Sequence, residues 1–194
     1  MLVAGLVWLG LLLLSGVAVQ LVWLRHIPAV VSILFVLIAA YDLWLWRLPV
    51  LRRRIARRPL LRGTWHASIR PTPETGKYRD PVRGYMAIGQ TYSMLTLRLL
   101  TEESTSESLA AHAIRAKEGQ FSVTAVYRNE PRPSVRKRSP IHFGALILQC
   151  ADGVTEIAGE YWTDRRSVGE LTLSGRHPRY VSDYATAKAL FGDE

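Results

Sequence analysis

Residues 159–175 have the sequence GEYWTDRRSVGELTLSG, which has the pattern of a strand, a polar turn and a second strand. The first strand ends in the aromatic pair Tyr161 and Trp162, and the turn carries the adjacent arginines Arg165 and Arg166. Aromatic and β-branched residues on either side of a polar turn are typical of a β-hairpin. This stretch therefore predicts that the C-terminal part of the chain is built from short strands.

The same kind of alternation gives the direction of individual side chains. Phe121, Val123, Ala125 and Tyr127 alternate with Ser122, Thr124, Val126 and Arg128. Because successive strand residues point to opposite faces, the first four share one face and Thr124 and Arg128 share the other. In residues 157–162, Ile157 and Tyr161 share a face in the same way. If these apolar faces line an interior, Tyr127 and Tyr161 point into it.

Short β-rich segments recur from Gly63 onward, with turn residues between most of them. Strands are predicted near residues 65–69, 84–88, 92–100, 106–116, 121–127, 141–150, 155–163 and 168–174. Eight strands in succession favour a small antiparallel β-barrel, with a two-sheet sandwich as the alternative. An eight-stranded barrel has room for side chains or one small ligand. The proline-rich stretches 71–84 and 129–140 are predicted loops, and 180–191 is a candidate terminal helix.

The N-terminus has a different composition. Residues 1–46 contain 36 hydrophobic residues, about 78%, against about 39% in the rest of the chain. Segments 2–24 and 27–46 are each long enough to cross a bilayer as a helix, and the first lacks the basic start and short apolar core of a cleaved signal peptide. We therefore predict a transmembrane helical hairpin over residues 1–46. Tyr41, Trp44 and Trp46 are expected at the membrane interface, and Asp42 either lines a polar seam or reaches the headgroups.

The charge is concentrated beside this apolar region. The chain has a net charge of +9, but residues 1–62 carry +7 and residues 63–194 only +2. Segment 47–62 holds seven arginines and no acid, so the positive-inside rule predicts a multi-pass membrane protein whose domain 63–194 faces the cytoplasm. The run Arg52–Arg58 is expected to contact anionic headgroups. The nearly balanced domain argues against a DNA or RNA polymer as partner.

The sequence contains no recognisable catalytic or metal-binding motif. The five histidines are scattered without metal-ligand spacing, and His112 and His142, in strand patterns, are interpreted as structural. Cys150 is the single cysteine, so neither an intramolecular disulfide nor a cysteine-rich zinc site can form. We expect a binding or effector module with no enzymatic activity, no cofactor and no metal.

The chain resembles a family of bacterial antiphage effectors in four features. These are two apolar N-terminal segments, the sequence Gly63-Thr64-Trp65 at the start of the domain, an all-β domain and the stretch 159–175. The members of that family are the two-transmembrane, β-barrel effectors of cyclic-oligonucleotide-based antiphage signalling (CBASS), partners of CD-NTase enzymes. The resemblance implies a barrel that binds a cyclic dinucleotide made after infection. It further implies that binding drives oligomerisation and disruption of the inner membrane.

The local chemistry is compatible with that ligand. Bases stack on aromatic or guanidinium faces, and phosphates take Arg or hydroxyl donors. The predicted ligand-binding residues are Tyr161, Thr163, Arg165, Arg166, Tyr127 and Trp65. The alternative is a membrane-anchored structural or adaptor protein whose barrel is solid, in which these aromatics fill the core and the outer surface binds a protein. The state of the barrel interior distinguishes the two hypotheses.

Overall fold

The computed structural model describes residues 26–72, 80–115, 120–151 and 154–192, together with Val7, Gly10 and Leu14. A helix, α1, spans Ile27–Leu43 and begins with Pro28 in its first turn, where proline is tolerated. Except for those three isolated residues, the predicted first membrane helix 2–24 lies outside the described part. Within the described part, no helix combines the length and apolar character needed to cross a membrane.

A closed antiparallel barrel follows, in which each strand pairs with the next and β8 pairs with β1. This confirms the predicted eight-stranded barrel over the sandwich. The strands are β1 (Gly63–Thr72), β2 (Val82–Gln90), β3 (Leu95–Leu100), β4 (Ser104–Arg115), β5 (Gln120–Pro131), β6 (His142–Ala151), β7 (Ile157–Thr163) and β8 (Val168–His177). We call the end of the barrel that contains Gly63 and the β2–β3 turn the near end, and the opposite end the far end.

The apolar interior is formed by inward-facing residues that alternate with outward-facing ones along the strands. In β5, Phe121, Val123 and Ala125 are buried as the alternation predicts. The near half of the lumen is packed solid by apolar side chains from all around the barrel, among them Trp65, Ile88, Leu148, Ile157 and Leu173. Burial of such side chains is the main favourable contribution to folding.

The segment before β1 closes the near end. Leu61 is fully buried there, and the Trp65 Nε1–H donates to the Leu61 carbonyl over 2.9 Å. Gln90 fixes this segment through its side-chain amide. Its Oε1 accepts from the Leu61 and Arg62 backbone N–H groups at 2.8 and 3.2 Å, and its Nε2 donates to the Pro59 carbonyl at 2.9 Å.

The end of α1 is joined to the β2–β3 turn. The Ser93 N–H donates to Asp42 Oδ1 at 2.8 Å, and the Tyr92 N–H donates to the Asp42 carbonyl at 2.9 Å. Asp42 thus binds the barrel, a role that neither sequence interpretation anticipated. The interfacial aromatic cluster also needs correction, because Trp46 is fully buried and Tyr41 packs edge-on against Tyr92.

Several predicted boundaries differ in the structure. The second apolar helix ends at Leu43 and not at Trp46, since Trp44 leaves the helical conformation with φ −137°. Strand structure extends into both predicted loops: β1 reaches Thr72, β2 begins at Val82, and β5 continues to Pro131, because ladder pairing persists past the polar residues. Asp152-Gly153, a dipeptide typical of hairpin turns, lies outside the described residues.

A short C-terminal helix, α2 (Tyr184–Phe191), covers part of the outer wall. Asp183 caps it by accepting the Thr186 N–H at 2.8 Å. The helix and the segment before it bury Val181 and Ala187 against Tyr85, Ala87 and Leu100 on β2 and β3. This side of the barrel is therefore not available as a surface.

We expect Gln90→Ala to lower the free energy of unfolding by about 1–3 kcal/mol, because it leaves the buried Leu61 N–H without an acceptor. For a chain of this size each kcal/mol corresponds to about 2–4 °C in Tm. The measurement is thermal unfolding of the full chain in detergent, followed by circular dichroism. Gln149→Ala, on the exposed face of β6, is the control and should change Tm little. Equal effects of the two variants would contradict the role given to Gln90.

Candidate functional site

A cavity of about 720 Å³ occupies the far half of the barrel and opens at the far end. Its floor is apolar and is formed by Ile69, Met86, Leu97, Leu99, Ala125, Leu146 and Leu171. Its upper wall and rim are polar, with Ser106, Ser108, Tyr127, Asn129, Ser139, His142, Tyr161, Thr163 and Arg165. The barrel is therefore solid in one half and hollow in the other.

Of the three tyrosines that line this cavity, Tyr127 and Tyr161 are each placed against a glycine of the neighbouring strand, and Tyr184 belongs to α2. Tyr127 pairs with Gly144 across β5 and β6, and Tyr161 pairs with Gly169 across β7 and β8. A Cβ at Gly144 would lie 2.5 Å from the Tyr127 hydroxyl oxygen, and one at Gly169 would lie 2.7 Å from the Tyr161 hydroxyl oxygen. Each ring thus occupies the space of the missing side chain, a pairing known to support glycines in sheets. The rings lie against the wall, and the lumen stays open between them.

Burial keeps both hydroxyl groups protonated. It raises the pKa of Tyr127 to about 12, with smaller contributions from Tyr161 and Asp164. Burial also raises the pKa of Tyr161. At neutral pH each tyrosine therefore offers the cavity a neutral ring and a hydroxyl that can donate or accept a hydrogen bond.

The rim of the cavity is organised around His142. Its Nδ1 lies 3.0 Å from the Pro140 carbonyl oxygen, and its Nε2 lies 3.4 Å from Asn129 Nδ2. The Arg165 Nη1 donates to Ser139 Oγ at 3.1 Å and lies 3.4 Å from His142 Nδ1. A guanidinium, an imidazole and two small polar side chains therefore converge on one side of the opening.

The structure brings four of the six predicted residues to the cavity. Tyr127, Tyr161, Thr163 and Arg165 line it. The Thr163 hydroxyl lies 2.6 Å from Ser167 Oγ, so it also closes the β7–β8 turn.

The other two predicted residues lie elsewhere. Trp65 is fully buried in the near half of the barrel. Arg166 is exposed, has φ +60°, and sits in the turn where its N–H donates to the Thr163 carbonyl at 3.0 Å. Neither side chain lines the cavity.

Sequence reasoning missed several rim residues. Asn129 lies two residues beyond Tyr127 on the same face, so the alternation that pointed to Tyr127 also pointed to Asn129. His142 was interpreted as structural; it is buried, but it also lines the cavity. Ser106 and Ser139 had no local signal, since the pairing of β4 with β5 places Ser106 opposite Asn129, and Ser139 lies in the segment just before β6. Within the described residues, no three His, Cys, Asp or Glu side chains come together as metal ligands.

Comparison with known proteins places this barrel in a family. Residues 56–175, more than half of the chain, match the family described as "Cap15, cyclic dinucleotide receptor domain". The chain belongs to the Cap15 family. The matched region begins just before β1, contains all of β1 to β7 and ends within β8, so it includes every strand that lines the cavity.

A curated Cap15 protein resembles this chain over most of its length. CD-NTase-associated protein 15 of Staphylococcus schleiferi is 26% identical over 167 residues, which is 86% of this chain and 87% of the relative. The similarity thus extends beyond the barrel and includes part of the sequence outside residues 56–175.

The raised pKa of Tyr127 predicts a stability change at high pH. The ordinary pKa of an unfolded tyrosine is about 10, so the unfolded chain ionises first as pH rises. The contribution of Tyr127 is present below pH 10 and is lost as pH approaches 12. Between these values, the free energy of unfolding should fall more steeply in the wild type than in Tyr127→Phe, as measured by urea denaturation. Tyr180→Phe, which removes an exposed hydroxyl, should keep the wild-type slope. Parallel curves for wild type and Tyr127→Phe would count against a buried hydroxyl.

Proposed function

We propose that this Cap15 protein is a membrane-anchored CBASS effector whose barrel binds a cyclic dinucleotide in the far-end cavity. Binding then leads to self-association and disruption of the bacterial inner membrane, which stops the infection by killing the cell. The observation that carries the proposal is the half-hollow barrel, in which two tyrosine rings and an arginine rim line one open cavity. The family membership and the similarity to CD-NTase-associated protein 15 support the same ligand class.

The apolar floor and the Arg165 side of the rim suit the chemistry of this ligand, and Glu102 and Glu103 also line the cavity. A cyclic dinucleotide presents two flat bases and two phosphates. The apolar floor and the rings of Tyr127 and Tyr161 suit the bases, since stacking on aromatic faces tolerates any base. Arg165 and Ser139 at the opening suit a phosphate, because a guanidinium donates charge-assisted hydrogen bonds to anionic oxygens. The ligand would enter with its bases deep and its phosphates near solvent.

Anchoring is supported by the apolar N-terminal segments and by the contact between α1 and the barrel. In the proposed arrangement residues 2–24 and the part of α1 before Tyr41 lie in the membrane, and the barrel stands in the cytoplasm on its near end. Arg52, Arg54 and Arg57 would face anionic headgroups. Arg58 belongs to the barrel contact instead, since it donates to the Tyr92 carbonyl and its guanidinium lies 4.6 Å from the Tyr92 ring centroid.

The adaptor hypothesis predicts a barrel filled along its whole length. The far half of the barrel instead encloses about 720 Å³, in the size range of small-molecule sites. A polar rim and an apolar floor favour a ligand over a purely structural core. The structure therefore favours the sensor over the adaptor.

The test is calorimetry of the full chain in detergent against cyclic di-AMP, cyclic di-GMP, cyclic GMP–AMP and cyclic trinucleotides. Heat of binding is expected with at least one cyclic dinucleotide. Folded protein that gives no heat with any of them would contradict the proposal.

Arg165→Ala should weaken binding by tenfold or more, since a charged contact contributes about 1.5–3 kcal/mol and about 1.4 kcal/mol is a factor of ten. The matched control is Arg166→Ala, which removes the same charge from the next residue of the same turn but outside the cavity. Its affinity should stay close to that of the wild type. Equal losses would mean that general charge, and not the placement of Arg165, attracts the ligand.

Stacking on Tyr161 predicts a difference between two substitutions. Tyr161→Ala should lose about 1–3 kcal/mol of binding free energy, whereas Tyr161→Phe keeps the ring and should bind nearly as well as the wild type. Calorimetry measures both, with circular dichroism to confirm the fold. If the phenylalanine variant were as weak as the alanine variant, the hydroxyl and not the ring face would be the contact.

A further inference from the structure

The segment between β5 and β6, residues 132–139, lies beside the mouth of the cavity and is strongly basic. It contains no acid and four basic residues, which are Arg132, Arg136, Lys137 and Arg138. A short 3₁₀ turn over Pro133–Val135 makes it compact, and the Arg138 and Ser139 N–H groups both donate to the Val135 carbonyl, at 3.1 and 3.0 Å. We call this segment the basic loop.

The basic loop is bonded to the far-end turns on both sides of it. Towards the β3–β4 turn, the Arg132 N–H donates to the Glu103 carbonyl at 2.8 Å, and the Arg138 guanidinium forms an ion pair with the Glu103 carboxylate. Towards the β7–β8 turn, Ser139 accepts a hydrogen bond from Arg165. Glu103 and Ser139 both line the cavity, so Arg138 is held at its rim by one lining residue and precedes another.

Glu103 is an unexpected residue in the wall of a site for an anion. Its carboxylate and that of Glu102 line the cavity, and a carboxylate close to a bound phosphate repels it. In the free chain the Glu103 carboxylate instead balances the charge of Arg138. The Arg138 and Glu103 side chains are 66% and 58% exposed, and ion pairs with this exposure add little to stability. The pair therefore opens at small cost when another anion binds beside it.

We infer that Arg138 is a second phosphate-binding residue of the cavity and that Glu103 occupies its guanidinium until the ligand arrives. The inference rests on the proposed function, because it concerns the same site. A cyclic dinucleotide has two phosphates, and Arg165 supplies a guanidinium for one of them. Exchange of the Glu103 carboxylate for the other phosphate keeps the Arg138 charge paired, and the exposed Glu103 carboxylate returns to water.

Arg83 is the competing candidate, since it also lines the cavity. Residues two apart on a strand share a face, so Arg83 points the same way as Tyr85, which packs outside the barrel wall under α2. Met86 and Ile88 alternate with these residues and belong to the barrel interior. Arg83 therefore extends from the outer face of β2, whereas the basic loop sits beside the Arg165 side of the rim.

The arginine variants test the assignment by calorimetry of the full chain in detergent, with cyclic di-AMP, cyclic di-GMP and cyclic GMP–AMP as ligands. Arg138→Ala should weaken binding about tenfold or more, as expected for loss of a charged contact. Arg83→Ala should lose less. The matched control is Arg136→Ala, which removes the same charge from the same loop, because Arg136 pairs with Glu130 and neither residue lines the cavity. Its affinity should stay close to that of the wild type.

The glutamate variants test the masking of Arg138. Glu103→Gln should strengthen binding about twofold to fivefold, the change that corresponds to opening an exposed ion pair. Glu102→Gln removes the same charge from the next residue, which lines the same cavity but forms no ion pair with any described residue, so its gain should be smaller. In the Arg138→Ala background, Glu103→Gln should gain no more than Glu102→Gln does.

The outcomes separate this inference from the proposed function. Wild-type affinity in Arg138→Ala, a larger loss in Arg83→Ala than in Arg138→Ala, or equal gains from the two glutamine variants would overturn the role of Arg138. Each of these results would leave the sensing function standing, because the wild type still binds. Folded wild-type protein that gives no heat with any cyclic dinucleotide would overturn both.

Discussion

Closure of β8 onto β1 is the constraint on which the rest of the molecule depends. A closed barrel has no free edge, so every inward residue must share one lumen with seven other strands. In the near half, Trp65, Leu61 and the apolar residues around them fill that lumen. In the far half, Tyr127 and Tyr161 lie against Gly144 and Gly169, and the centre stays empty. Large side chains therefore fill the near half of the lumen, and the tyrosine–glycine pairs leave the far half open.

The near end of the barrel also contacts the N-terminal segment. Gln90 holds the chain before β1 through three hydrogen bonds, and Asp42 holds the β2–β3 turn. Because Gln90 ends β2 and the turn follows it, both contacts converge on one corner of the barrel. A change in the cavity that moved β2 or β3 would be passed to α1 through this corner. Met86, Leu97 and Leu99 of these two strands line the cavity floor, so the cavity and the contact with α1 share the same strands.

Strand alternation is a local property, and for that reason the sequence could predict the barrel and the direction of Tyr127 and Tyr161. It correctly directed Tyr127 and Tyr161 inward, since each follows buried residues of its own strand. It did not give the height of a residue in the barrel, which depends on the offset between strands. For that reason Trp65 was grouped with the tyrosines, although it lies at the opposite end.

Arg165 and Arg166 are adjacent and chemically identical, but only Arg165 lines the cavity. The backbone differs at this point, since Arg166 has a positive φ. Asp42 was interpreted from its place in an apolar segment, and its partner, Ser93, is 51 residues away.

In the proposed function the far half of the barrel is a ligand site and not a packing defect. A structure of the full chain determined with a cyclic dinucleotide bound tests this most directly. We expect the ligand inside the far-end cavity, with its bases against Tyr127 and Tyr161 and a phosphate within hydrogen-bond distance of Arg165. A ligand bound on the outer wall or at the near end, with the cavity still empty, would contradict it.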